Sequence, residues 1–422
     1  MPHGARISAD TGIRRLGLRR HPFGRDDHGW LRPMRGFRTR LDYVVALSPS
    51  SISPKVSAAV AAARCSGYPL GWSLPLRLAF FHSTLPEPNR KPGGVEVFVH
   101  RLANRLIDRG HDVTVFTFGS RPDDARYRVI KIGASWLGAR RVARLTLAPL
   151  VLNRMPQTGF DLLHLHGDDW FLLSRRLPTV RTFYGSALFE ARSATTIQRR
   201  VAQRIIYPLE VVASRLATAS FGIGSRLPWG YSTDGSLALA VNPVPDSAGS
   251  EHSRHPTVLF VGTWHGRKRG AFLADTFERL VLPCHPTAEL LMVSDDCVER
   301  PGVRQISVPS DEELAALYQS AWVFCLPSTY EGFGLPYLEA CANGTPVVAT
   351  PNAGSRHVLA QGAGLLVDDA DLGAAVAGLL GDSEARAGLA EAGRARAREF
   401  SWSRVLDEHE AAYALAVARF AG

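Results

Sequence analysis

Short apolar runs alternate along the chain with segments in which apolar residues recur every three to four positions. The run from Leu76 to Phe81 has the length of a buried strand and enters a polar turn that ends in two glycines. From Val95 an amphipathic helix follows, which ends at Gly110 before a strand from Asp112 to Phe118. Strand, glycine turn, helix and strand in this order form one half of a Rossmann-like unit.

A second series of strands and helices begins at Thr257. The segment between the two series, from Ala240 to Pro256, is rich in proline, serine and glycine, as interdomain linkers are. We therefore predict an α/β protein with two Rossmann-like domains whose parallel sheets face a central cleft. The predicted domain boundaries are as follows: an N-terminal extension at 1–73, a first domain at 74–243, a second domain at 244–400 and a C-terminal helix at 401–422.

The further strands predicted within these two domains are five to seven residues long. They are Phe160 to His166, Thr179 to Tyr184, Thr257 to Val261, Glu289 to Val293, Val303 to Val308, Ala321 to Leu326 and Gly364 to Asp368. A helix is predicted from Ser310, which is a good N-cap followed by three acidic residues.

The stretch from Ser328 to Thr350 carries the strongest chemical signal. It reads as a loop, a helix, a turn and a strand, and it follows the predicted strand that ends at Leu326. Gly332 and Gly334 let the backbone turn sharply near a ligand, and Pro336 fits the first position of a helix. A helix N-terminus at the end of a parallel strand offers free amides and the positive end of a dipole. This arrangement predicts an anion site.

Two carboxylates, Glu331 and Glu339, bracket this predicted site. Acids so close to bound phosphate would repel it unless they face neutral hydroxyl groups on either side of it. A nucleotide sugar meets that condition, since its ribose and its hexose flank a diphosphate and offer vicinal hydroxyls to carboxylates. For an isolated pair, Glu339 would be explained more simply as an acid favoured near a helix start. Within E-G-F-G-L-P-x-x-E-A, the ligand interpretation is favoured.

This segment resembles the E-x7-E signature of retaining glycosyltransferases of family 4, which have the GT-B architecture. The resemblance implies that Glu331 contacts the donor sugar and that Glu339 contacts the nucleotide ribose. It also implies that the turn binds the diphosphate through Gly332, Phe333, Gly334 and Leu335. In the resembled fold, the final helix crosses back onto the first domain.

Two glycine turns complete the predicted donor site. In the resembled family, the turn that holds Gly94 and Glu96 here faces the donor phosphates and the acceptor; Glu96 could equally be an ordinary acid in a first helical turn. The turn from Gly262 to Gly270 holds three cations. Its Lys268 matches a family lysine, whereas Thr263 stands where the family has arginine. Arg267 is predicted to compensate; the alternative is a solvated basic loop.

Three residues at predicted strand ends are candidates for the acceptor side of the cleft. His166 ends one predicted strand of the first domain and Asp168 follows it, at the carboxyl end where open α/β sheets bind ligands. Tyr184 ends the next strand and is followed by glycine, where the family usually has His-Gly. Because a tyrosine is not cationic near neutral pH, the stabilising role of that histidine is in doubt here. His164 and His166 lack an apparent third metal ligand.

The net charge of +10 lies mostly in the N-terminal extension. Residues 1–76 contain twelve Lys and Arg against four Asp, a balance of +8, so that +2 remains for the other 346 residues. A nearly neutral folded part argues against a nucleic-acid partner. Five scattered cysteines favour a reducing compartment, and Cys325 and Cys341 are predicted to be buried. We therefore expect a cytoplasmic protein that could be peripheral to the inner face of the membrane.

A long helix is predicted at 193–217. Ile197, Val201, Ile205, Leu209 and Val212 share one face, and three arginines lie off it. We favour a helix that turns its apolar face to the core and its basic face to solvent. The alternative is a helix that lies on an anionic membrane, which would suit a lipid-linked acceptor.

The sequence thus predicts a retaining glycosyltransferase that moves a hexosyl group from a nucleoside diphosphate sugar to an acceptor hydroxyl. Glu331 and Lys268 are the predicted catalytic residues. The acceptor is expected to be a glycan, a lipid-linked molecule or a small molecule in glycan, glycolipid or cell-envelope synthesis, and no metal or other cofactor is expected. Two alternatives remain: a GT-B nucleotide-sugar epimerase or hydrolase, and a non-catalytic protein that binds sugar nucleotides.

Overall fold

The computed structural model of this 422-residue chain describes most of the chain from residue 75 onwards. The described residues are 75–87, 93–134, 147–173, 175–194, 196–224, 227–241, 253–294, 296, 299–307 and 309–421. The predicted N-terminal extension and most of the predicted linker lie outside them, so the proposed boundaries at 73 and 243 stay predictions.

The first domain is built on a sheet of seven parallel strands. They are β1 (Arg77–Phe81), β2 (Asp112–Thr117), β3 (Arg128–Lys131), β4 (Leu162–Leu165), β5 (Thr179–Phe183), β6 (Ala219–Ile223) and β7 (Gly235–Leu237). Their spatial order is β3-β2-β1-β4-β5-β6-β7. The register pairs Leu78 of β1 with Val113 on one side and with Leu162 on the other. The inner strands are apolar on both faces because helices cover both sides of the sheet.

The second domain repeats the pattern with six parallel strands. They are β8 (Thr257–Val261), β9 (Glu289–Val293), β10 (Val303–Ile306), β11 (Val323–Leu326), β12 (Val347–Ala349) and β13 (Leu365–Leu366). The order is β10-β9-β8-β11-β12-β13. The α/β class and the two parallel sheets of the prediction are therefore confirmed.

Eleven α-helices are assigned within the described ranges. In the first domain they are α1 (Gly94–Asp108), α2 (Ala148–Val151), α3 (Ala187–Ser193) and α4 (Ile197–Leu216). The others are α5 (Gly270–Thr276), α6 (Asp311–Ser320), α7 (Leu335–Ala342), α8 (Ala353–Val358), α9 (Leu372–Gly381), α10 (Ser383–Arg398) and α11 (Trp402–Ala421). The predicted cap of α6 is confirmed as a full capping box between Ser310 and Glu313.

The strand order reverses once in each sheet, and the candidate site lies at the reversal of the second sheet. In the first sheet the reversal lies between β1 and β4, and in the second between β8 and β11. Open α/β sheets bind ligands outside the carboxyl ends of the strands at such a reversal. The loops that follow β8 and β11 are the basic turn and the E-x7-E segment.

The C-terminal helix α11 packs back onto the first domain, as predicted. Tyr413 is fully buried and its hydroxyl lies 3.0 Å from Nδ1 of His164 on β4. Arg419 pairs with Asp234 at 2.7 Å, and Arg109, the C-cap of α1, pairs with Asp407 at 2.9 Å. These contacts join the end of the chain to both the sheet and a helix of the first domain.

The long helix predicted at 193–217 differs from expectation in two ways. It is α4, which starts at Ile197, after a separate short helix α3. The favoured core-facing orientation is wrong: Ile197 is 77% exposed, Val201 49%, Ile205 62% and Val212 50%. The opposite face, with Ile206 and Ala213, contacts the core instead. The apolar pattern gave the helix correctly but not the side that packs.

No helix in the described part of the chain combines the length and the apolar character needed to cross a membrane. Cys325 and Cys341 are fully buried in β11 and α7, as predicted.

Candidate active site

The loop between β11 and α7 depends on glycine at two positions. Gly334 caps α7 with a φ of 98°, in the left-handed region, where a side chain would also meet the Tyr337 ring at 2.6 Å. At Gly332 a Cβ atom would lie 2.7 Å from the carbonyl oxygen of Tyr184 in the first domain. The absence of a side chain at Gly332 therefore lets the two domains approach each other at this loop. Pro336 is the second rather than the first residue of the helix.

Glu331 lies in this loop and is 6% exposed. Its Oε1 atom accepts hydrogen bonds from Nη1 of Arg267 at 2.5 Å and from Oγ of Ser328 at 2.9 Å. Burial is the largest single effect and would lower the pKa of Arg267, but the charges of Glu331 and Glu190 and the hydrogen bond to Glu331 together outweigh it, so the pKa is raised. The backbone is held too, since Gly354 N donates to the Glu331 carbonyl at 3.0 Å. Both side-chain hydrogen bonds thus hold the Glu331 carboxylate through its Oε1 atom.

Glu339 lies on the second turn of α7, where Tyr318 of α6 donates a hydrogen bond to its Oε2 atom at 3.0 Å. Burial raises the pKa of this carboxyl group, while the Tyr318 bond and the positive charges of Arg101 and Lys268 act against the rise. Arg101 belongs to α1 of the first domain and pairs with Asp311 of α6. Glu339 therefore lies where the two domains meet.

The basic turn after β8 contacts the E-x7-E loop directly. Arg267 reaches both Glu331 and the carbonyl oxygen of Tyr330, the latter at 2.7 Å, and its own carbonyl accepts from Thr329 N at 2.9 Å. Lys268 Nζ lies 3.4 Å from the carbonyl oxygen of Val261, at the end of the strand. Thr263 donates to the His265 carbonyl at 2.7 Å and so shapes the turn. The solvated-loop alternative does not fit Arg267, because its side chain is bound to Glu331.

The N-termini of α1 and α7 meet across the cleft. A Cβ atom built on Gly94, the first residue of α1, would lie 3.7 Å from Cδ1 of Leu335, the first residue of α7. Each helix start carries unpaired amides and the positive end of its dipole. Two such ends on either side of one space make a stronger anion site than either alone. The structure therefore brings Gly94 close to Leu335, two residues that the sequence analysis had placed in the donor site.

The first domain contributes Tyr184 and its neighbour Gly185 to the same contact. Tyr330 from the E-x7-E loop packs above them: a Cβ atom at Gly185 would lie 3.4 Å from its hydroxyl oxygen, and Ser186 N donates to that oxygen at 3.4 Å. Burial raises the pKa of Tyr330 to about 12, so the phenol is neutral. The loop that carries Glu331 thus rests on the end of β5.

Tyr184 is paired with His166 rather than pointing alone into the cleft. Its hydroxyl lies 2.7 Å from Nδ1 of His166, which follows β4 and is 2% exposed. Burial raises the pKa of Tyr184 and lowers the pKa of His166, so both groups are neutral. With the phenol as donor, the imidazole carries its proton on Nε2. Among the described residues, that buried Nε2 atom finds no hydrogen-bond partner.

The other acceptor-side candidates lie at the same sheet edge with different surroundings. Glu96 is 8% exposed and accepts from Oγ1 of Thr84 at 2.7 Å. Asp168 has a φ of 55° in the turn after β4. The adjacent Asp169 is fully buried and pairs with Arg181 at 2.5 Å. Asp169 is thereby bound inside the first domain.

His164 shares a strand face with His166, and the two rings lie 3.9 Å apart. His164 does not reach the cleft, since it is covered by α11 and bonded to Tyr413 and Thr182. In the part of the chain that the structure describes, no group of three or more His, Cys, Asp or Glu residues could hold a metal ion.

His357 lies on α8, beside the E-x7-E loop. Its ring packs edge-on against Phe333 and Phe400, with centroid distances of 5.2 and 5.7 Å. Burial lowers its pKa to about 4, helped by the charges of Arg396 and Arg404. His357 therefore makes a neutral aromatic contact with this loop.

Four residues that sequence reasoning missed complete the site: Arg101, Tyr318, Ser328 and Tyr330. Ser328 and Tyr330 lie within the recognised segment and could have been noticed there. Arg101 and Tyr318 lie on amphipathic helices distant in sequence, where nothing distinguishes them from ordinary surface and core residues.

Both domains resemble known proteins in sequence. The model of glycosyltransferase family 4 matches residues 92–223, and that of glycosyl transferases group 1 matches residues 255–382. A phosphatidyl-myo-inositol mannosyltransferase of Mycolicibacterium smegmatis is 31% identical over 352 residues, which cover 74% of this chain and 87% of that relative. The chain belongs to glycosyltransferase family 4. It is therefore a glycosyltransferase enzyme, and this membership decides against the two alternatives that the sequence left open.

Two further similarities place this family 4 glycosyltransferase more closely. A D-inositol 3-phosphate glycosyltransferase of Corynebacterium urealyticum is 27% identical over 375 residues, covering 74% of this chain and 88% of that relative. The sucrose-phosphate synthase structure from Thermosynechococcus elongatus superposes with a TM-score of 0.63 at 20% identity, covering 80% of this chain and 98% of that one. The second similarity supports the GT-B fold.

Proposed function

We propose that this glycosyltransferase moves a hexosyl group from a nucleoside diphosphate sugar to an acceptor hydroxyl, with retention of configuration. The observation that carries the proposal is the meeting of the α1 and α7 N-termini at Leu335, which lies between Glu331 and Glu339 in the chain. A diphosphate between the two helix starts would have a carboxylate on either side, one for the hexose and one for the ribose.

The chemical demand of the reaction is the departure of a charged diphosphate. The bond between the anomeric carbon and the phosphate oxygen breaks as the acceptor oxygen forms its bond to that carbon. The acceptor proton passes to the leaving phosphate oxygen, so atoms and charge balance. Lys268 and the amides from Phe333 to Leu335 would stabilise the charge that develops on the leaving group. The proposal requires no metal ion.

Glu331 would orient the hexose through its second oxygen, Oε2, because Arg267 and Ser328 both bind Oε1. Since Arg267 is bound to Glu331, its predicted role as a direct phosphate contact becomes secondary to holding the carboxylate. Glu339 would accept from the ribose hydroxyls beside its bond to Tyr318.

For the acceptor, we propose a molecule that contains an inositol phosphate, as a lipid or in soluble form, with mannose as the transferred sugar. The names of the relatives support this class: a phosphatidyl-myo-inositol mannosyltransferase and a D-inositol 3-phosphate glycosyltransferase.

A donor and acceptor panel tests the proposal. Purified protein is incubated with the guanosine, uridine and adenosine diphosphate forms of mannose and glucose, with and without phosphatidylinositol or inositol phosphate, and with a chelator in a parallel series. We expect release of the nucleoside diphosphate to depend on the acceptor and to continue at the same rate when the chelator is present. Equal release without any acceptor would indicate hydrolysis and contradict transfer.

Replacing the central carboxylate gives the sharpest variant. Glu331→Gln loses a charged hydrogen bond worth about 1.5–3 kcal/mol, so transfer should fall by about ten- to a hundredfold while the protein stays folded. Glu289→Gln is the matched control. Glu289 is the first residue of β9, at the N-terminal ends of the strands and so away from the carboxyl ends where the candidate site lies, and it pairs with Arg304. Wild-type turnover in Glu331→Gln would remove Glu331 from the mechanism.

A further inference from the structure

The outer surface of α4 carries an apolar row that faces solvent. Its members are Ile197, Val201, Ile205, Val212 and Leu216, with exposed fractions of 77, 49, 62, 50 and 43%. At about 100° per residue they span roughly 100° of the helix circumference. A water-soluble helix normally turns such a row inward. Here the opposite side, with Ile206 and Ala213, makes the core contacts.

A basic flank runs beside this apolar row. Arg200, Arg204 and Arg215 are exposed and lie within about 60° of its edge on one side. The acids of this region are engaged elsewhere. Glu210 points to the inner side, where it accepts from Ala187 N at 3.0 Å and binds Tyr231, and Glu190 pairs with Arg199 on the far flank at 2.7 Å. The exposed surface thus combines apolar side chains with positive charge.

An exposed tryptophan extends the same surface. Trp229 is 91% exposed. Its turn packs against the basic flank, because Tyr207 donates to the Trp229 carbonyl and Arg215 donates to the Gly230 carbonyl at 2.8 Å. Tryptophan prefers the interface between water and lipid headgroups, where one part of its ring system is apolar and the N–H is hydrated.

We propose that the α4 surface, defined as the apolar row, the three arginines and Trp229, docks the enzyme on an anionic lipid bilayer. An in-plane helix with an apolar face and arginines at its edge has the chemistry that binds such a surface. The basic flank argues against a second copy of the chain, since a two-fold contact would bring like charges together. It also argues against cover by residues 1–76, whose balance is +8.

The docking surface is connected to the acceptor side of the cleft. Glu210 of α4 accepts from the backbone of Ala187, three residues after Tyr184, and Tyr231 bridges Glu210 and Ser186. These hydrogen bonds therefore connect the helix that would contact the bilayer to the residues that follow β5. This connection suits an acceptor that resides in the membrane, but docking itself does not depend on the proposed function.

Vesicle sedimentation with the full-length protein tests docking without any turnover. The vesicles contain phosphatidylcholine alone or with about one-third phosphatidylglycerol, at low and high salt. We expect binding to the anionic vesicles that weakens as salt is added. Arg200→Gln/Arg204→Gln should lower the partition constant by about twenty-fivefold, since each arginine near an anionic surface contributes about fivefold.

Two further variants separate apolar contact from charge. Val201→Gln/Ile205→Gln should weaken binding by about tenfold or more, because both side chains would enter the interface. Both residues are exposed and glutamine favours helices, so folding should be preserved. Arg394→Gln/Arg398→Gln, a pair of exposed arginines at the same spacing on α10, is the matched charge control and should bind like wild type.

The outcomes are distinct. Failure of the wild type to bind anionic vesicles, or wild-type binding by both α4 variants, would overturn the proposal. Light scattering checks the rival occupant: a dimer that the α4 variants convert to monomer, with vesicle binding unchanged, would make this surface a subunit interface. Transfer to soluble inositol phosphate, measured in parallel, keeps a failure of docking separate from a failure of the proposed reaction.

Discussion

Tyr184 shows how one substitution in a family pattern changes the local hydrogen bonding. The tyrosine reaches His166 on the neighbouring strand at 2.7 Å, so an imidazole is still present at the cleft edge although it comes from a different residue. Because burial lowers the pKa of His166, this imidazole is a neutral hydrogen-bonding group and not a cation. The positive charge near the leaving group would then come from the second domain.

The role of the Tyr184–His166 pair can be tested by removing only the hydroxyl group of Tyr184. Tyr184→Phe should lower kcat/KM for transfer by about fivefold, the effect of one neutral hydrogen bond of about 1 kcal/mol. Tyr127→Phe is a matched control, because its hydroxyl binds Nδ1 of His100 at the same distance, 2.7 Å, in another part of the first domain. Equal losses in both variants would indicate a general effect on stability, and no loss in Tyr184→Phe would refute the role of the pair.

At this scale the sequence predicts the residues whose type is diagnostic and misses their partners. Gly332, Gly334 and the two glutamates stand out because their spacing matches a known signature. The contacts of Glu339 with Tyr318 and with the charge of Arg101 arise from helices that meet only in the folded chain. No local pattern records such meetings.

Among the elements, the loop from β11 to α7 depends most on one missing side chain. Gly332→Ala would place a methyl group 2.7 Å from the Tyr184 carbonyl, a backbone atom that cannot move alone. The loop must then shift away from the first domain and carry Glu331 with it. We expect transfer to fall by at least tenfold, since a displacement of about 1 Å can cost a hundredfold in rate.

A glycine elsewhere provides the control for that substitution. Gly378 lies inside α9 with no atom within 4 Å of an added Cβ, so Gly378→Ala should keep full activity and raise helix stability by about 0.5–1 kcal/mol. Activity assays and urea unfolding of both variants give the comparison. Full activity in Gly332→Ala would contradict the close approach at this loop.

Element prediction succeeded where the apolar run was long and failed where it was short. The strands Thr257–Val261 and Glu289–Val293 match the predicted bounds. β3, β6 and β7 were not predicted, because Arg128–Lys131 and Gly235–Leu237 are too short to show a period and Ala219–Ile223 contains serine and glycine. These strands are held by pairing with their neighbours more than by their own composition.

Helix α4 illustrates the other limit. Its period predicts a helix, and both of its faces carry apolar residues, so the sequence alone does not decide which face packs. Contacts of Ile206 and Ala213 with Trp170 and Ala187 make that decision in the fold.

For the whole molecule, buried histidines couple stability to pH. Burial lowers the pKa of His357 and of His409 to about 4, against about 6.5 in an unfolded chain. Between these values the unfolded state binds more protons than the native state. The stabilising effect is therefore complete above pH 6.5 and is lost as the pH falls towards 4, at up to about 1.4 kcal/mol per pH unit for each histidine.

Urea unfolding of the wild type and of His357→Gln between pH 7.5 and 4.5 measures this effect. Below about pH 6.5 the free energy of unfolding should fall less steeply with decreasing pH in the variant than in the wild type. The two slopes should differ by up to about 1.4 kcal/mol per pH unit, which corresponds to one proton. The difference isolates His357 from the buried carboxyl groups, which titrate equally in both proteins. Parallel curves for the two proteins would contradict the lowered pKa.

The two-domain architecture was the most predictable feature, since two series of strands and helices separated by a linker are visible in the sequence. The packing of α11 on the first domain came from the family resemblance and not from its own residues. The convergence of the α1 and α7 N-termini required the structure, because it joins residues more than two hundred positions apart.

The central claim is that Glu331 and Glu339 hold the two sugar rings of one donor. A crystal structure with an unreactive nucleoside diphosphate sugar analogue tests it most directly. We predict the hexose hydroxyls within hydrogen-bond distance of Glu331, the ribose hydroxyls at Glu339 and the diphosphate between the starts of α1 and α7. A ligand bound elsewhere, with Glu331 still contacting only Arg267 and Ser328 and Glu339 only Tyr318, would contradict the account.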